Sequence, residues 1–358
     1  MHSLKMRHGL ARRGALRNAA RCSSAAPQQH TSVTMPSHVP PASLATNDPM
    51  RLLEGRFDLD HHTGGLRGLG AVLPNVDLRE DFNEEDISIL KRASNDAGGI
   101  IVFPDQSKLS LQDHVAFGRK LGEIEPHAVA SGHPEAPEVL EIVREPSADV
   151  VFGENWHSDN SFMKRTASYS ILKIAVAPRY GSNDTLFASV EAAYEALSPT
   201  IQGLLQNLQV FHSATRAYSA GRPENSRAAM ERTSTMRFRN EAPIMEYDVL
   251  HPLVVVHPET KRRSIFASPT FTTGIRGMHK DESDALLGFL YGHFSQPQFQ
   301  ARVSWAPHQV TMWDNRSLTH KGIADDVSEK RVVQRVSIRG SSPVGVDGKS
   351  IASEKRTC

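Results

Sequence analysis

The longest apolar runs in this chain have the length of β-strands. Residues 100–103, 168–176, 253–256, 264–267, 310–313 and 332–338 are short, rich in Val, Ile, Phe and Leu, and bounded by Gly, Pro, Asp or charged residues. That length and those flanks mark strands rather than helices. Residues 139–143 are a further candidate, and the body opens in extended form at Gly64-Gly65-Leu66 and 68–72. Helical spacing is confined to a few places. Residues 84–97 open with an acidic turn and end at Gly98-Gly99. Residues 111–121 have Ser110 as N-cap and end at Gly122. The stretch 191–208 is broken at Ser198-Pro199, and the last helix spans 282–294. Many short strands with helices gathered early and late predict a mostly β fold with flanking helices, a β-sandwich or jelly roll. No internal repeat is visible. No apolar run approaches the ~20 residues that span a bilayer, so no membrane segment is expected.

Outside this body the composition changes. The first 29 residues carry Lys5, Arg7, Arg12, Arg13, Arg17 and Arg21 among Ala and Ser, without an Asp or Glu. Arg-rich and acid-free is the composition of an organellar transit peptide, mitochondrial in preference to plastid. The competing reading is a basic tail of a cytoplasmic protein. Pro36, Pro40 and Pro41 continue the stretch to residue 48 as linker, and 343–358 reads as a flexible C-terminal tail. Residues 219–241 are polar and aperiodic, with Arg222, Arg227, Arg232, Arg237 and Arg239, and read as a mobile insertion. A net charge of +1 gives no electrostatic case for nucleic acid. Cys22 and Cys358 are the only cysteines, so the body holds no disulfide framework, thiol nucleophile or Cys-based zinc site.

Chemistry concentrates in two places. In Asn155-Trp156-His157-Ser158-Asp159, an imidazole and a carboxylate two residues apart on extended chain point the same way and offer one metal ion two ligands. Among 17 His and 40 acidic residues such a tripeptide also arises by chance. The second place is Trp313-Asp314-Asn315-Arg316-Ser317-Leu318-Thr319-His320. There His320, just beyond the end of a strand, would complete two His and a carboxylate. Further on, Arg331 and Arg335 share one face of a predicted strand. Buried there, two guanidinium groups would each need an anion; exposed, they would be ordinary surface arginines.

The order Asn-Trp-His-x-Asp, Asp184-Thr185-Leu186-Phe187, Trp-Asp-Asn-Arg-x3-His and Arg-x3-Arg resembles the TauD/TfdA family of Fe(II)- and 2-oxoglutarate-dependent dioxygenases. That family includes taurine dioxygenase, 2,4-dichlorophenoxyacetate dioxygenase and alkylsulfatase relatives. The likeness covers about residues 64–342 and takes in 191–198 and Phe271-Thr272-Thr273. It implies a double-stranded β-helix, a form of jelly roll, with His157, Asp159 and His320 as iron ligands. It also implies that Arg331 and Thr185 hold the far carboxylate of 2-oxoglutarate, with O2 as second cosubstrate. Trp313 would be a core residue beside the iron.

The same likeness places His127, after Phe117-Gly118-Arg119-Lys120-Leu121-Gly122-Glu123, and Arg335 on the anionic head group of a small substrate. Two polar positions that face the taurine amine in the family are here Ala130 and Gly153. Asn160, Tyr218 and Phe271 would then line a roomier, more apolar pocket. The expected substrate is a sulfonate, sulfate ester or carboxylate with an apolar tail, hydroxylated beside the head group. Taurine dioxygenase proper, or a cupin-like metal protein without turnover, are the alternatives; Arg331 with Thr185 speaks against the second. Asp159 speaks against a halogenase, in which a small residue replaces the carboxylate ligand. A homo-oligomer is left open.

Overall fold

The computed structural model describes residues 69–146, 153–179, 182–218, 237–238 and 248–351. The expected leader and linker, the Gly64-Gly65 opening and all of 219–241 except Arg237 and Phe238 lie outside them. The described chain is mostly β with few helices. Six strands form the main sheet in the order β1 (Ala71–Val72), β2 (Ile100–Phe103), β12 (Val310–Asp314), β4 (Ala167–Val176), β14 (Arg331–Arg339), β3 (Leu140–Arg144). A three-stranded sheet runs β11 (Gln300–Val303), β5 (Thr185–Ser189), β13 (Leu318–Gly322). Another runs β10 (Thr272–Ile275), β6 (Gln209–His212), β7 (Val249–Pro252), and β8 (Val254–Val256) pairs with β9 (Arg263–Ile265).

The main sheet is covered on both faces, which is why its strands read as unbroken apolar runs. Ile101, Phe103, Tyr169, Ile171, Met312, Val336 and Ile338 pack on helices α1 (Glu84–Asp96) and α2 (Leu111–Leu121). The alternate residues Ile100, Val102, Ile174, Trp313 and Val333 meet Phe187, Ala301, Val303 and Leu318 of the β11-β5-β13 sheet. Side chains of β14 that point into this inner space therefore point at the same space as those of β5 and β13. Both covering helices start on capping boxes, Asn83 with Asp86 and Ser110 with Asp113.

A further core joins α3 (Val190–Glu195), α4 (Pro199–Leu205) and α6 (Lys280–Phe294) to β6, β8 and β9. The break at Ser198 is as expected, with Ser198 capping α4 and Pro199 at its first position. Leu204, part of the periodic pattern, is 48 % exposed. Between β6 and β7 lies α5 (Thr215–Tyr218).

The expected strand at 253–256 is β8, starting at Val254, and a strand with no counterpart in the sequence reading, β7, ends just before it at Pro252. Two expectations need correction. His320 is not beyond a strand end but inside β13, because the chain turns at 314–317 and re-enters pairing opposite Phe187 of β5. The first residues of the expected loose tail are pinned to the body: Val256 N–H donates to Val344 O (2.9 Å), and Val255 bridges Gly345. Among the described residues no helix is long and apolar enough to cross a membrane.

Candidate metal centre

His157 and His320 are brought together by backbone pairing. Each N–H donates to the other's carbonyl, at 2.9 and 2.8 Å, in an isolated antiparallel bridge. Their rings lie 4.2 Å apart between centroids. Asp159 Oδ1 is 3.7 Å from His157 Nε2 and 4.0 Å from His320 Nε2. One ligand atom from each residue falls within 4.8 Å of the others, and all three residues are buried. That span suits a single ion bound at about 2 Å from each atom.

Hydrogen bonds aim the ligands. His157 Nδ1–H donates to Asn155 O (2.8 Å), which leaves Nε2 as the free lone pair. His320 is held by packing, stacked on Phe187 at 5.7 Å and edge-on to Trp313 at 4.8 Å. Asp159 sits in a closed ring of contacts. Ser170 Oγ–H donates to Asp159 Oδ2 (2.6 Å), Asn315 Nδ2 donates to Ser170 Oγ (2.9 Å), and Asp159 N–H donates to Asn315 Oδ1 (3.0 Å). Trp313 Nε1–H donates to the same Asn315 oxygen (3.2 Å).

Arg335, expected on the substrate, donates to Asp159 Oδ1 as well. Burial alone would raise the Asp159 carboxyl, but Arg335, both histidines and Ser170 outweigh it and hold it well below the usual carboxylate range. Burial pushes both imidazoles down, so they stand neutral with a lone pair to offer. This is the electrostatic state a divalent cation requires of its ligands.

Arg331 lies on the inner face of β14, four residues before Arg335. Its Nε is buried and has no hydrogen-bond acceptor. Burial and neighbouring Arg144 lower its pKa to about 10, against the attraction of Asp184. A guanidinium in that condition calls for an anion. Thr185, next to Asp184, accepts from Trp305 Nε1–H (3.0 Å), which leaves its hydroxyl proton to donate elsewhere. These residues fit the far carboxylate of a dicarboxylate.

Beside His157, the side chains of His127, Tyr218, Phe271 and Phe162 meet. His127 Nδ1 accepts from the N–H groups of Val129 (3.2 Å) and Ala130 (2.9 Å), so its proton is on Nε2, 3.4 Å from Tyr218 Oη. Phe162 packs on Tyr218 and Phe271, and Phe271 meets the His157 ring edge-on at 6.1 Å. Tyr218 is close enough to feel both Arg335 and Asp159, and burial pushes its hydroxyl well up. Asn160 is 3 % exposed, has φ of 53°, and finds no partner for either side-chain polar atom. Sequence reasoning missed Ser170 and Trp305. Asn315 was visible inside Trp-Asp-Asn-Arg without a role, and Ser170 faces Trp313 in the β4–β12 register, which no local pattern reports.

A mostly β fold carrying a buried two-His, one-carboxylate centre beside an unpaired arginine defines a non-haem metal enzyme of the oxygenase type. The chain belongs to the taurine catabolism dioxygenase TauD, TfdA family, whose model matches residues 61–337. It is 31 % identical over 300 residues to an alpha-ketoglutarate-dependent sulfate ester dioxygenase of Pseudomonas putida, covering 82 % of this chain and 93 % of that protein. It is 34 % identical over 271 residues to an alpha-ketoglutarate-dependent sulfonate dioxygenase of Saccharomyces cerevisiae, covering 72 % and 61 %. A taurine dioxygenase from Burkholderia xenovorans superposes with a TM-score of 0.67 at 26 % identity, covering 84 % of this chain and 97 % of that one. The protein is an oxidoreductase that uses Fe(II), 2-oxoglutarate and O2.

Proposed function

We propose that the protein hydroxylates a sulfate ester, sulfonate or carboxylate with an apolar alkyl or aryl tail, at the carbon next to the head group, and acts poorly on taurine. In this reading the main sheet and the β11-β5-β13 sheet are the two halves of a double-stranded β-helix. His157, Asp159 and His320 hold Fe(II), and Arg331 and Thr185 hold the far carboxylate of 2-oxoglutarate. The iron with 2-oxoglutarate and O2 supplies the oxidising power, and succinate and CO2 leave as products. The protein's part is to fix the reacting C–H bond near the metal and keep water out. His127 Nε2–H and Arg335 face the substrate's anion, and Asn160, Tyr218 and Phe271 surround its apolar tail. Arg335 would then serve both Asp159 and the head group.

The observation that carries the substrate class is the make-up of the cluster beside the metal ligands. Phe162, Tyr218, Phe271 and Phe238 form one aromatic cluster with Val129, Ala130 and Leu140. Where the family places polar groups for the taurine amine, Ala130 is 1 % exposed within that cluster, and Gly153 comes within 3.4 Å of the His157 ring at its Cβ position. Neither position offers a polar side chain to an ammonium. Relatives named for sulfate esters, sulfonates and (S)-phenoxypropionate support the same class.

Succinate release with taurine, a medium-chain alkyl sulfate and an aryloxyacetate, side by side, tests the reading. The alkyl sulfate or aryloxyacetate should lead, and Arg335→Ala that still binds metal should lose turnover. Taurine as best substrate returns the protein to taurine dioxygenase proper, and absence of turnover with every substrate favours the silent metal protein. We also propose that residues 1–48 address the protein to an organelle, the mitochondrion before the plastid. A fusion of residues 1–45 to a fluorescent reporter that stays in the cytosol would exclude it.

A further inference from the structure

Arg144 is the register partner of Arg331 across β3 and β14. It is 5 % exposed, and its Nε has no acceptor, like that of Arg331. Its two terminal nitrogens are spoken for. Nη1 donates to Asn183 Oδ1, and Nη2 donates to the carbonyls of Asp326 (3.2 Å) and Glu329 (3.1 Å). Asn183, held at φ 56°, donates from Nδ2 to Asp326 O (2.6 Å) and from its backbone to Asp325 Oδ1 (2.7 Å). Ile323 N–H closes the same seam on Asp184 O (2.8 Å).

Residues 323–330 link β13, which carries His320, to β14, which carries Arg331, and Asn183-Asp184 lead into Thr185. The guanidinium of Arg144 thus ties β3 both to the 323–330 link and to the Asn183 turn. Two like charges on facing positions of adjacent strands repel. Asp325, Asp326 and Glu154 are near enough to Arg144 to offset that charge in part, and Asp184 does so for Arg331. Asp184 is itself engaged by Arg302 and Ser304. Each member of the pair keeps an unused Nε–H.

We propose that Arg144 is a positioning residue for the cosubstrate: it straps 323–330 and the Asn183 turn into place, and its charge beside Arg331 strengthens the pull on the far carboxylate of 2-oxoglutarate. The proposal rests on the reading of Arg331 and Thr185 as the 2-oxoglutarate clamp. The strap fixes the end of β14 from which Arg331 projects, and a second positive charge beside that guanidinium adds to its attraction for a carboxylate.

The test compares Arg144→Met, Arg144→Lys and Asn183→Ala with wild type. Dissociation of 2-oxoglutarate is read anaerobically from its absorption band with Fe(II) and by calorimetry with Mn(II), and amide exchange is followed over 323–330. Arg144→Met should weaken 2-oxoglutarate by about 10- to 100-fold in Kd and KM, with kcat at saturation changed by less than about twofold and faster exchange in the strap. Arg144→Lys should recover part of the affinity and little of the exchange protection. Asn183→Ala, which keeps the charge, should loosen the strap and weaken 2-oxoglutarate by about three- to tenfold. If Arg144→Met fails to fold, seen as lost Mn(II) binding, Asn183→Ala decides alone. Unchanged affinity in a folded variant beside a wild type that binds 2-oxoglutarate overturns this proposal only. A wild type that binds Mn(II) but no 2-oxoglutarate overturns the parent reading and this one with it.

Discussion

Asp159 is the residue whose neighbours set the metal site, and they can be removed one at a time. Ser170→Ala deletes the donor to Oδ2 and leaves Arg335 on Oδ1. Fe(II) affinity should fall about tenfold, within the range usual for partners that orient a ligand. Asn315→Ala should do more, toward about 100-fold, because Asn315 holds Ser170, the Asp159 backbone and the Trp313 indole together. Anaerobic Fe(II) titration gives the order, and Ser170→Ala exceeding Asn315→Ala would contradict the ring of contacts around Asp159. At the cosubstrate end, Arg331→Ala should raise the KM for 2-oxoglutarate by about 100-fold or more, on the order expected for a lost charge-assisted pair, and Thr185→Ala by about tenfold or less. Trp305→Phe frees the Thr185 oxygen without removing its hydroxyl and should cost about threefold. The reverse order of Arg331 and Thr185 in 2-oxoglutarate titrations would sink the clamp.

Among the elements, α2 and β14 are the pair on which the site leans. The helix lies on the outer face of the strand whose inner face carries Arg331 and Arg335. A Cβ at Gly118 would come 2.8 Å from Val336 Cγ1, a stiff, fully buried side chain in β14. Gly118→Ala should therefore destabilise by about 1–3 kcal/mol and Gly118→Val by more, the usual range for overpacking, despite the better helix propensity of Ala. Thermal melts give the ranking, and a Gly118→Ala protein as stable as wild type would mean that α2 can move away from β14. The helices and the apolar strands were legible because caps and runs are local signals: Ser110 and Gly122 bound α2 as read from sequence. β5 and β13 were not. Thr185-Leu-Phe-Ala-Ser and Leu318-Thr-His-Lys-Gly are short and half polar, since their inner faces serve the site as well as the core. The ligands themselves were legible through a resemblance, as single residues in motifs. What aims them is carried by cross-strand register, with Ser170 opposite Trp313 and Arg144 opposite Arg331, and register is not written in any one segment.

For the molecule as a whole, one buried acid ties stability to pH. Glu191 opens α3, is 4 % exposed, and meets Arg262 through Oε2 at 3.3 Å while Oε1 has no partner. Burial raises its pKa from 4.5 to about 7; His257 and Arg262 oppose the rise, and Asp314 and Glu195 add to it. The fold thus prefers the protonated acid more than the unfolded chain does. Below pH 4.5 both states hold the proton and the fold bears no penalty. As pH rises toward 7 the unfolded chain ionises first, and stability drains until the folded carboxyl ionises too. A rise from 4.5 to about 7 corresponds to about 3 kcal/mol lost by about pH 8. Gln at this position keeps the shape and cannot ionise. The melting temperatures of wild type and Glu191→Gln should therefore lie together near pH 4.5 and separate by several degrees by about pH 8, with the variant the more stable. Other groups titrate over the same range in both proteins, so the difference between the two curves carries the signal. Parallel curves across that range would mean that Glu191 is already ionised throughout, with the desolvated Oε1 satisfied in solution by water.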